Sequence, residues 1–421
     1  MTNRRRVVIT GVGVASALGC DTEDFWKRLV RGDSGVVLLE DETFATLPTR
    51  IGAVVQGYDE FAHFERKELR RLSRSSQLAV VAASGAVRQA GLSDDGLDRR
   101  EVAVLIGSSI GGYSASDHFF RDFYLHGWAG PLVIPTTMNT APSSNVSIRF
   151  GFGGPLMNVD AACASGSHSV GYAFNLIRAG VVEVAVAGGA DSPFTLGIMK
   201  AWCALRALSE RNDEPAAACR PFSADRDGLV LGEGAGVLVL ESELSAKRRG
   251  REILAEVLGY GASADGHHLT QPSPDGPARA MRKALVDASV AAEQLGYVNA
   301  HGTGTHWNDR NETAAIKDAL GMSAYRAIVV GNKPALGHSI AASGALELIG
   351  CVLTLRDRIV PPTINYRAPD PECDLDYVTA GSRSYGGDLI MSNSFAFGGS
   401  NAALLIGRYR AQPGNPEASI G

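Results

Sequence analysis

The chain has no CxxC pair. Its cysteines (Cys20, Cys163, Cys203, Cys219, Cys351 and Cys373) are scattered widely over 421 residues. That distribution excludes a disulfide scaffold and points to a reduced, cytoplasmic protein with mostly inert thiols. There is no HxxxH spacing either, so no set of metal ligands can be read from the residues. No apolar run approaches the roughly 18 residues of a membrane span. A formal net charge of −5 makes no case for nucleic-acid binding. The opening stretch MTNRRRVVITGVGVASALG imitates a secretory signal, with its basic head and small-residue site. Gly11 and Gly13 interrupt its apolar part, however, and it reads as a first core strand ending in a glycine turn.

Glycine, in contrast, is abundant, at 49 residues, which implies tight turns and close backbone approaches. Apolar runs recur along the chain: RVVITGVG, EVAVLIG, PLMNVDAA, VEVAVAGGA, GVLVLE, ILAEVLGYG, LGYVNAHG, AIVVGN, LIMSNSFAF and NAALLIG. Helical patterns such as SSQLAVVAASGAVRQAGL and GPARAMRKALVDASV lie between several of them. This alternation predicts an α/β architecture with buried strands. The two halves also echo each other. EVAVLIGSSIGG resembles LGYVNAHGTGT, and DAACASGSHSVGYAFNLIRAG resembles LGHSIAASGALELIGCVLTL. A duplication is expected, with a boundary near SAKRRGRE: a first half over 1–250, a second over 251–410, and a mobile tail of loop composition over 411–421.

The stretch NVDAACASGSHSVG, residues 158–171, surrounds Cys163 with very small residues. Two readings stand side by side. A free cysteine is often just a buried core residue. At a strand-to-helix turn it is also a nucleophile, because helix N-terminal amides favour the thiolate. NAHGTGTHWNDRNE places His301 after a strand pattern and before a Gly/Thr loop. GNKPALGHSIAASGALE places Lys333 and His338 at another such junction. One thiol and two histidines at three strand-to-helix junctions form a constellation suited to acyl chemistry.

DAACASGSHSVG, HGTGT, NKPALGHSIAASGALE and NSFAFGGSNA resemble the four signature blocks of elongating β-ketoacyl-acyl carrier protein synthases. These are the condensing enzymes of dissociated fatty acid synthases, and the ketosynthase-α subunits of type II polyketide systems share the pattern. The likeness runs from about Arg5 to Arg408 with the blocks in family order, and includes ALSERNDEPAAACRPFSADRDG and VPPTINY. The resemblance implies a thiolase-like fold of duplicated αβαβα-layered halves. It implies that Cys163 accepts an acyl chain and that His301 and His338 bind the malonyl thioester and promote loss of CO₂. Lys333 would stand beside the histidines, and Glu347, if not an ordinary solvated helix residue, would bond to it. Phe397 would gate the thiol and share an oxyanion hole with the Cys163 amide. Thr270, Thr303 and Thr305 would meet the phosphopantetheine arm; Ile110, Met138 and Trp202 would line the acyl pocket.

The family docks an acidic carrier protein on basic residues matching Lys67, Arg70, Arg71 and Arg206, and a local basic patch suits such steering. No metal or organic cofactor is implied, since the phosphopantetheine belongs to the carrier protein. The family pairs subunits, so the chain is expected to form a homodimer or to join a Cys-less chain-length-factor-like partner. Membrane and nucleic acid are not expected partners. Three departures point from housekeeping fatty acid elongation toward polyketide or polyene chains. Ala396 replaces a glycine, Trp202 replaces a smaller ring, and His306 and Trp307 fill a usually small turn. A biosynthetic thiolase using CoA thioesters, a cysteine hydrolase and a non-catalytic chain-length partner are the competing readings.

Overall fold

In the computed structural model, near-continuous runs of buried small and apolar residues turn the long central strands into two-sided walls, because successive side chains leave opposite faces of a sheet. The model describes residues 4–93 and 97–411. Most of the tail expected over 411–421 therefore lies outside the described residues.

Eleven strands form one mixed sheet: β1 Val7–Ala15, β2 Ala103–Gly107, β3 Leu156–Met157, β4 Val184–Asp191, β5 Gly234–Ser242, β6 Ala255–Ala264, β7 Tyr297–Asn299, β8 Ile328–Val330, β9 Asp376–Tyr377, β10 Leu389–Phe395 and β11 Ser400–Gly407. Their order is β9-β8-β7-β10-β11-β6-β1-β5-β4-β2-β3. Outward from β1, the pairings run antiparallel to β5, antiparallel to β4, parallel to β2 and parallel to β3. Outward from β6 the same sequence recurs through β11, β10, β7 and β8. β1 and β6 join the two sets by an antiparallel pairing of three residues each.

The helices that place the site are α1 Arg74–Gln89, α2 Ser165–Arg178, α3 Leu196–Ala204, α4 Asp275–Ala288, α5 His306–Leu320 and α6 Ser343–Asp357. Val7, Ile9, Leu238, Leu240, Ala185 and Ala187 share a central core with α2 and α6 and with Leu404 and Ile406. Their neighbours Val237, Val239, Val184 and Val186 face the other way, onto α1. Leu405 and Ala403 face outward onto α4 and α5. The layers are thus helix, one half of the sheet, paired central helices, the other half of the sheet, helices. This is the expected thiolase-like fold.

The central helices explain the run of small residues after Cys163. A β-carbon on Gly166 would stand 2.5 Å from the Ala341 carbonyl oxygen, and one on Gly344 would stand 2.2 Å from Ser167 Oγ. The space around the thiol is therefore largely occupied by the N-terminal turn of the opposite central helix. Two local expectations are corrected. PLMNVDAA pairs as strand only over Leu156–Met157, the rest forming the turn that carries Cys163. The stretch His306–Asn311, read as a turn, is the start of α5, capped by the Thr305 side chain. Among the described residues, no helix is long and apolar enough to cross a membrane.

Candidate active site

Cys163 occupies a single helical turn, Ala162–Ala164, that feeds α2. Ala162 adopts φ 46°, a left-handed conformation costly for a residue with a β-carbon and held only where its surroundings insist. Here they do. Ser165 Oγ donates to the Ala162 carbonyl at 2.6 Å and accepts from the Ala161 N–H at 2.8 Å. Ser109 Oγ donates to the same carbonyl at 3.2 Å. The other half repeats the device: the turn Ile340–Ala342 precedes α6, with Ile340 at φ 51°. Ala341 stands there where Cys163 stands here.

The thiol is only 5% exposed. Burial pushes its pKa up to about 11, against the Lys333 charge and the N–H groups of Phe397 and Cys163 itself. The sequence led to the opposite expectation, a thiol made acidic by its helix terminus. Loss of hydration is the larger effect, so at rest Cys163 is a thiol.

The histidines are set by their neighbours. The Lys333 ammonium lies 3.3 Å from His301 Nδ1 and also donates to the His301 carbonyl. An ammonium can only donate, so His301 Nδ1 accepts and the ring proton sits on Nε2. His338 Nδ1 accepts the Ile340 N–H at 3.2 Å, which fixes the same tautomer. The left-handed Ile340 is the residue that turns this N–H back toward the ring. The two imidazoles stand edge to face with centroids 5.4 Å apart. Burial first, then the Lys333 charge, hold both pKa values well below the ordinary histidine range; His338 adds to the effect on His301.

Lys333 is fully buried and paired with Glu347 at 2.7 Å. Glu347 is therefore not a solvated helix residue. Burial lifts its carboxyl to about 7, against the pull of Lys333.

A cleft of about 430 Å³ opens over Cys163, and His301, His338, Ala396, Phe397, Trp202, Arg206, Thr270, Thr303 and Thr305 all border it. Lys333 and Glu347 stand behind the histidines, outside its lining. Thr303 Oγ1 and Thr305 Oγ1 are 2.8 Å apart, and Thr270 is exposed at the rim. Ile110 does not border the cleft; it joins an apolar cluster with Trp202, Met199 and Ile340. Met138 is 45% exposed on the surface and meets neither.

Lys67, Arg70, Arg71 and Arg206 are exposed. Arg74, three positions after Arg71, is instead turned inward, paired with Glu233 at 2.7 Å and lying over the Tyr58 ring. Ala396 has φ −131°, so its β-carbon costs nothing in this conformation. The left-handed positions are Gly398 and Gly399, at φ 79° and 75°.

Three buried carboxylates escaped the sequence reading. Glu312, on α5, accepts the N–H groups of His301 at 2.7 Å and Gly302 at 2.8 Å. Asp309, one turn earlier, accepts those of Phe222 at 2.8 Å and Gly304 at 3.2 Å. Asp191, at the end of β4, accepts Ser108 Oγ at 2.8 Å and the Ala341 N–H at 3.1 Å, tying the loop after β2 to the turn Ile340–Ala342. The DxxE spacing on α5 was the available signal for the first two. Nothing in the sequence marks Asp191.

The model of the beta-ketoacyl synthase N-terminal domain matches residues 4–246, and that of the C-terminal domain matches residues 254–367. Nodulation protein E of Rhizobium meliloti is 42% identical over 404 residues, covering 96% of this chain and 99% of that protein. A 3-oxoacyl-[acyl-carrier-protein] synthase 2 of Coxiella burnetii is 40% identical over 410 residues, again covering 96% and 99%. Among solved structures, the ishigamide ketosynthase/chain length factor superposes with a TM-score of 0.91 at 36% identity, covering 97% of this chain and 100% of that one. AntDE:AntF, a type II polyketide acyl-carrier protein in complex with its ketosynthase, superposes with a TM-score of 0.89 at 31% identity, with the same coverage.

Proposed function

Because the chain belongs to the β-ketoacyl synthase family, we propose that this cleft performs a decarboxylating Claisen condensation through an acyl-Cys163 intermediate. The protein is an acyltransferase that condenses an acyl chain with malonyl-acyl carrier protein. The observation that carries the residue roles is the tautomer pair. Two neutral imidazoles border the thiol's cleft, each with Nδ1 engaged and Nε2–H free to donate.

Cys163 sulfur attacks the carbonyl of an acyl thioester. The new S–C bond forms as the carrier thiolate leaves, and the Cys163 proton passes to that leaving thiol. The Cys163 and Phe397 amides stabilise the transient oxyanion. A malonyl arm then lies along Thr303, Thr305 and Thr270. Its thioester oxygen accepts from His301 and His338 Nε2–H, the bond to the carboxylate breaks, CO₂ departs, and an enolate remains. The enolate carbon attacks the acyl-Cys163 carbonyl and expels the thiolate. Lys333 opposes protonation of the imidazoles, which as cations would protonate and quench the enolate.

No resident cofactor is needed in this reading; phosphopantetheine arrives with the carrier protein, and the chain works in the cytoplasm. Lys67, Arg70, Arg71 and Arg206 receive the carrier, supported by their exposure and charge. The partner subunit is a second copy or a chain-length-factor-like protein. The exposed Met138, absent from its own cleft, reaches the partner's acyl pocket. The chain is read as two halves, 1–250 and 251–410, consistent with the repeated strand pairings. Type II polyketide or polyene assembly is the preferred pathway, on the strength of Trp202 and Trp307 at the cleft. The 40% identity to a 3-oxoacyl synthase favours fatty acid elongation as the second reading.

Intact-protein mass spectrometry after incubation with a panel of acyl-carrier thioesters tests the assignment. Wild type gains the acyl mass and Cys163→Ala does not. An adduct that persists in Cys163→Ala sinks the nucleophile.

A further inference from the structure

Three large apolar side chains from three different segments border the cleft and still face solvent. Leu205 follows α3, Leu269 lies on the loop after β6, and Trp307 opens α5; they are 51%, 72% and 63% exposed. Single exposed apolar residues are ordinary, but several gathered about one opening mark a surface that another molecule covers. Trp202 is half-buried, and its ring stacks on Phe397, centroids 5.7 Å apart. The Trp307 ring instead carries the guanidinium of Arg310, three positions along α5, at 4.8 Å from its centroid. Glu372 holds that guanidinium at 3.4 Å. The ring is thus positioned before any partner arrives, which lowers the entropy cost of docking. Its footing is fixed as well. Asn311 Nδ2 donates to the Pro272 carbonyl at 2.9 Å, joining α5 to the loop of Leu269, and Arg226 donates to the His306 carbonyl at 3.3 Å. Beside Leu205, Arg206 adopts φ 55°, a left-handed position that glycine usually takes after a helix. The chain bears that conformation and keeps a long, exposed cation there.

We propose that Trp307 is the contact by which this enzyme selects its carrier protein: with Leu205 and Leu269 it receives an apolar face at the root of the phosphopantetheine arm, while Arg206 and Arg310 meet acidic side chains beside it. The thiol is reached through this cleft, so a carrier whose arm has entered rests its own surface on the rim. An acidic partner complements the two arginines, and tryptophan and arginine are the residues enriched at binding hot spots. The surface adds to Lys67, Arg70 and Arg71, and its central part is apolar where those residues are charged. Trp307 acts on binding and forms no bond to the reacting atoms. The exposed rim stands on geometry alone, while the identity of its occupant rests on the ketosynthase reading.

The test compares two donors of the same malonyl group. Malonyl-pantetheine has the end of the arm and no protein; the other donor is the malonyl form of whichever carrier protein acylates Cys163 in the mass-spectrometric assay. KM and kcat are read for wild type, Trp307→Ala, Trp307→Phe and Arg310→Ala. Loss of one hot-spot ring should raise KM for the carrier-bound donor roughly tenfold in Trp307→Ala. KM for malonyl-pantetheine should stay near wild type, which also shows that the variant is folded. Trp307→Phe should recover most of the loss, and Arg310→Ala should show a smaller rise, about threefold. The Trp307→Ala defect should persist at high salt, because it is apolar and not screened. An equal rise for both donors would assign the ring to the arm and overturn the carrier contact, as would a fall in kcat without a change in KM. Acylation of Cys163 with an unaltered KM in Trp307→Ala removes the contact and leaves the ketosynthase reading standing. If no carrier acylates Cys163, that reading fails and takes the occupant with it.

Discussion

The Lys333 ammonium and the His301 imidazole are joined at two points, with Nζ 3.3 Å from Nδ1 and also bonded to the His301 carbonyl. One buried cation thereby sets the orientation, the tautomer and the charge of a histidine 32 positions away. Glu347 balances that cation at 2.7 Å, which makes a fully buried ammonium affordable.

Lys333→Ala should let both histidines protonate at higher pH, since the charge that opposes protonation is gone. It should cut malonyl decarboxylation by about 100-fold or more, the scale of losing a preorganised donor. It should also destabilise the fold by about 3 kcal/mol, because Glu347 is left without its partner. Histidine titration by NMR and denaturant unfolding check the two halves separately. Unchanged histidine titration with lost activity would remove the electrostatic role.

Glu312→Gln should separate the two half-reactions. Glu312 accepts two backbone N–H groups, from His301 and Gly302, and an amide offers one acceptor oxygen where two were used. A cost of about 1–3 kcal/mol is expected for the orphaned N–H. Decarboxylation should fall more than acylation, because His301 moves and Cys163 does not. Equal losses in both assays would show that the effect is general unfolding.

His168 should govern part of the acid stability. Burial lowers its pKa to about 4, below the ordinary 6.5 of an unfolded chain. The unfolded state therefore binds a proton that the folded state refuses, and stability is lost as pH falls from about 6.5 toward 4. The full loss is about 3 kcal/mol. Asp191 and Glu312, whose carboxyls burial lifts to about 7, act in the opposite direction. The readout is accordingly the difference between wild type and His168→Asn in melting temperature across that pH range. A constant difference refutes the assignment.

Charge reversal at the proposed docking face, as in the double variant Lys67→Glu and Arg206→Glu, should raise KM for carrier-bound substrate about tenfold and leave kcat nearly unchanged. Rim charges steer association and are screened by salt. The defect should therefore shrink between low and high ionic strength. A defect that is independent of salt would place the carrier elsewhere.

Much of the site was legible because its residues sit beside glycines and small side chains that mark strand-to-helix turns. Cys163, His301 and His338 each follow a strand pattern in the chain and border one cleft in the fold. The acidity of the thiol was misjudged, since a helix N-terminus is visible in a sequence and the depth of burial is not. The small residues around Cys163 are visible in the sequence, but not that a segment almost 180 residues away packs against them. Arg74 lies three positions from the exposed Arg71, and only its ion pair with Glu233 shows that it points inward.

From the sequence alone came the alternating architecture, the duplication, the chemistry-bearing residues and the family, because periodicity and local turn composition are properties of neighbours along the chain. The tertiary structure decided the tautomers, the protonation of Cys163, the Trp202–Phe397 stack and the roles of Asp191, Asp309 and Glu312. Each of these depends on which groups from distant segments share a dry interior, and burial makes their few contacts outweigh every local preference.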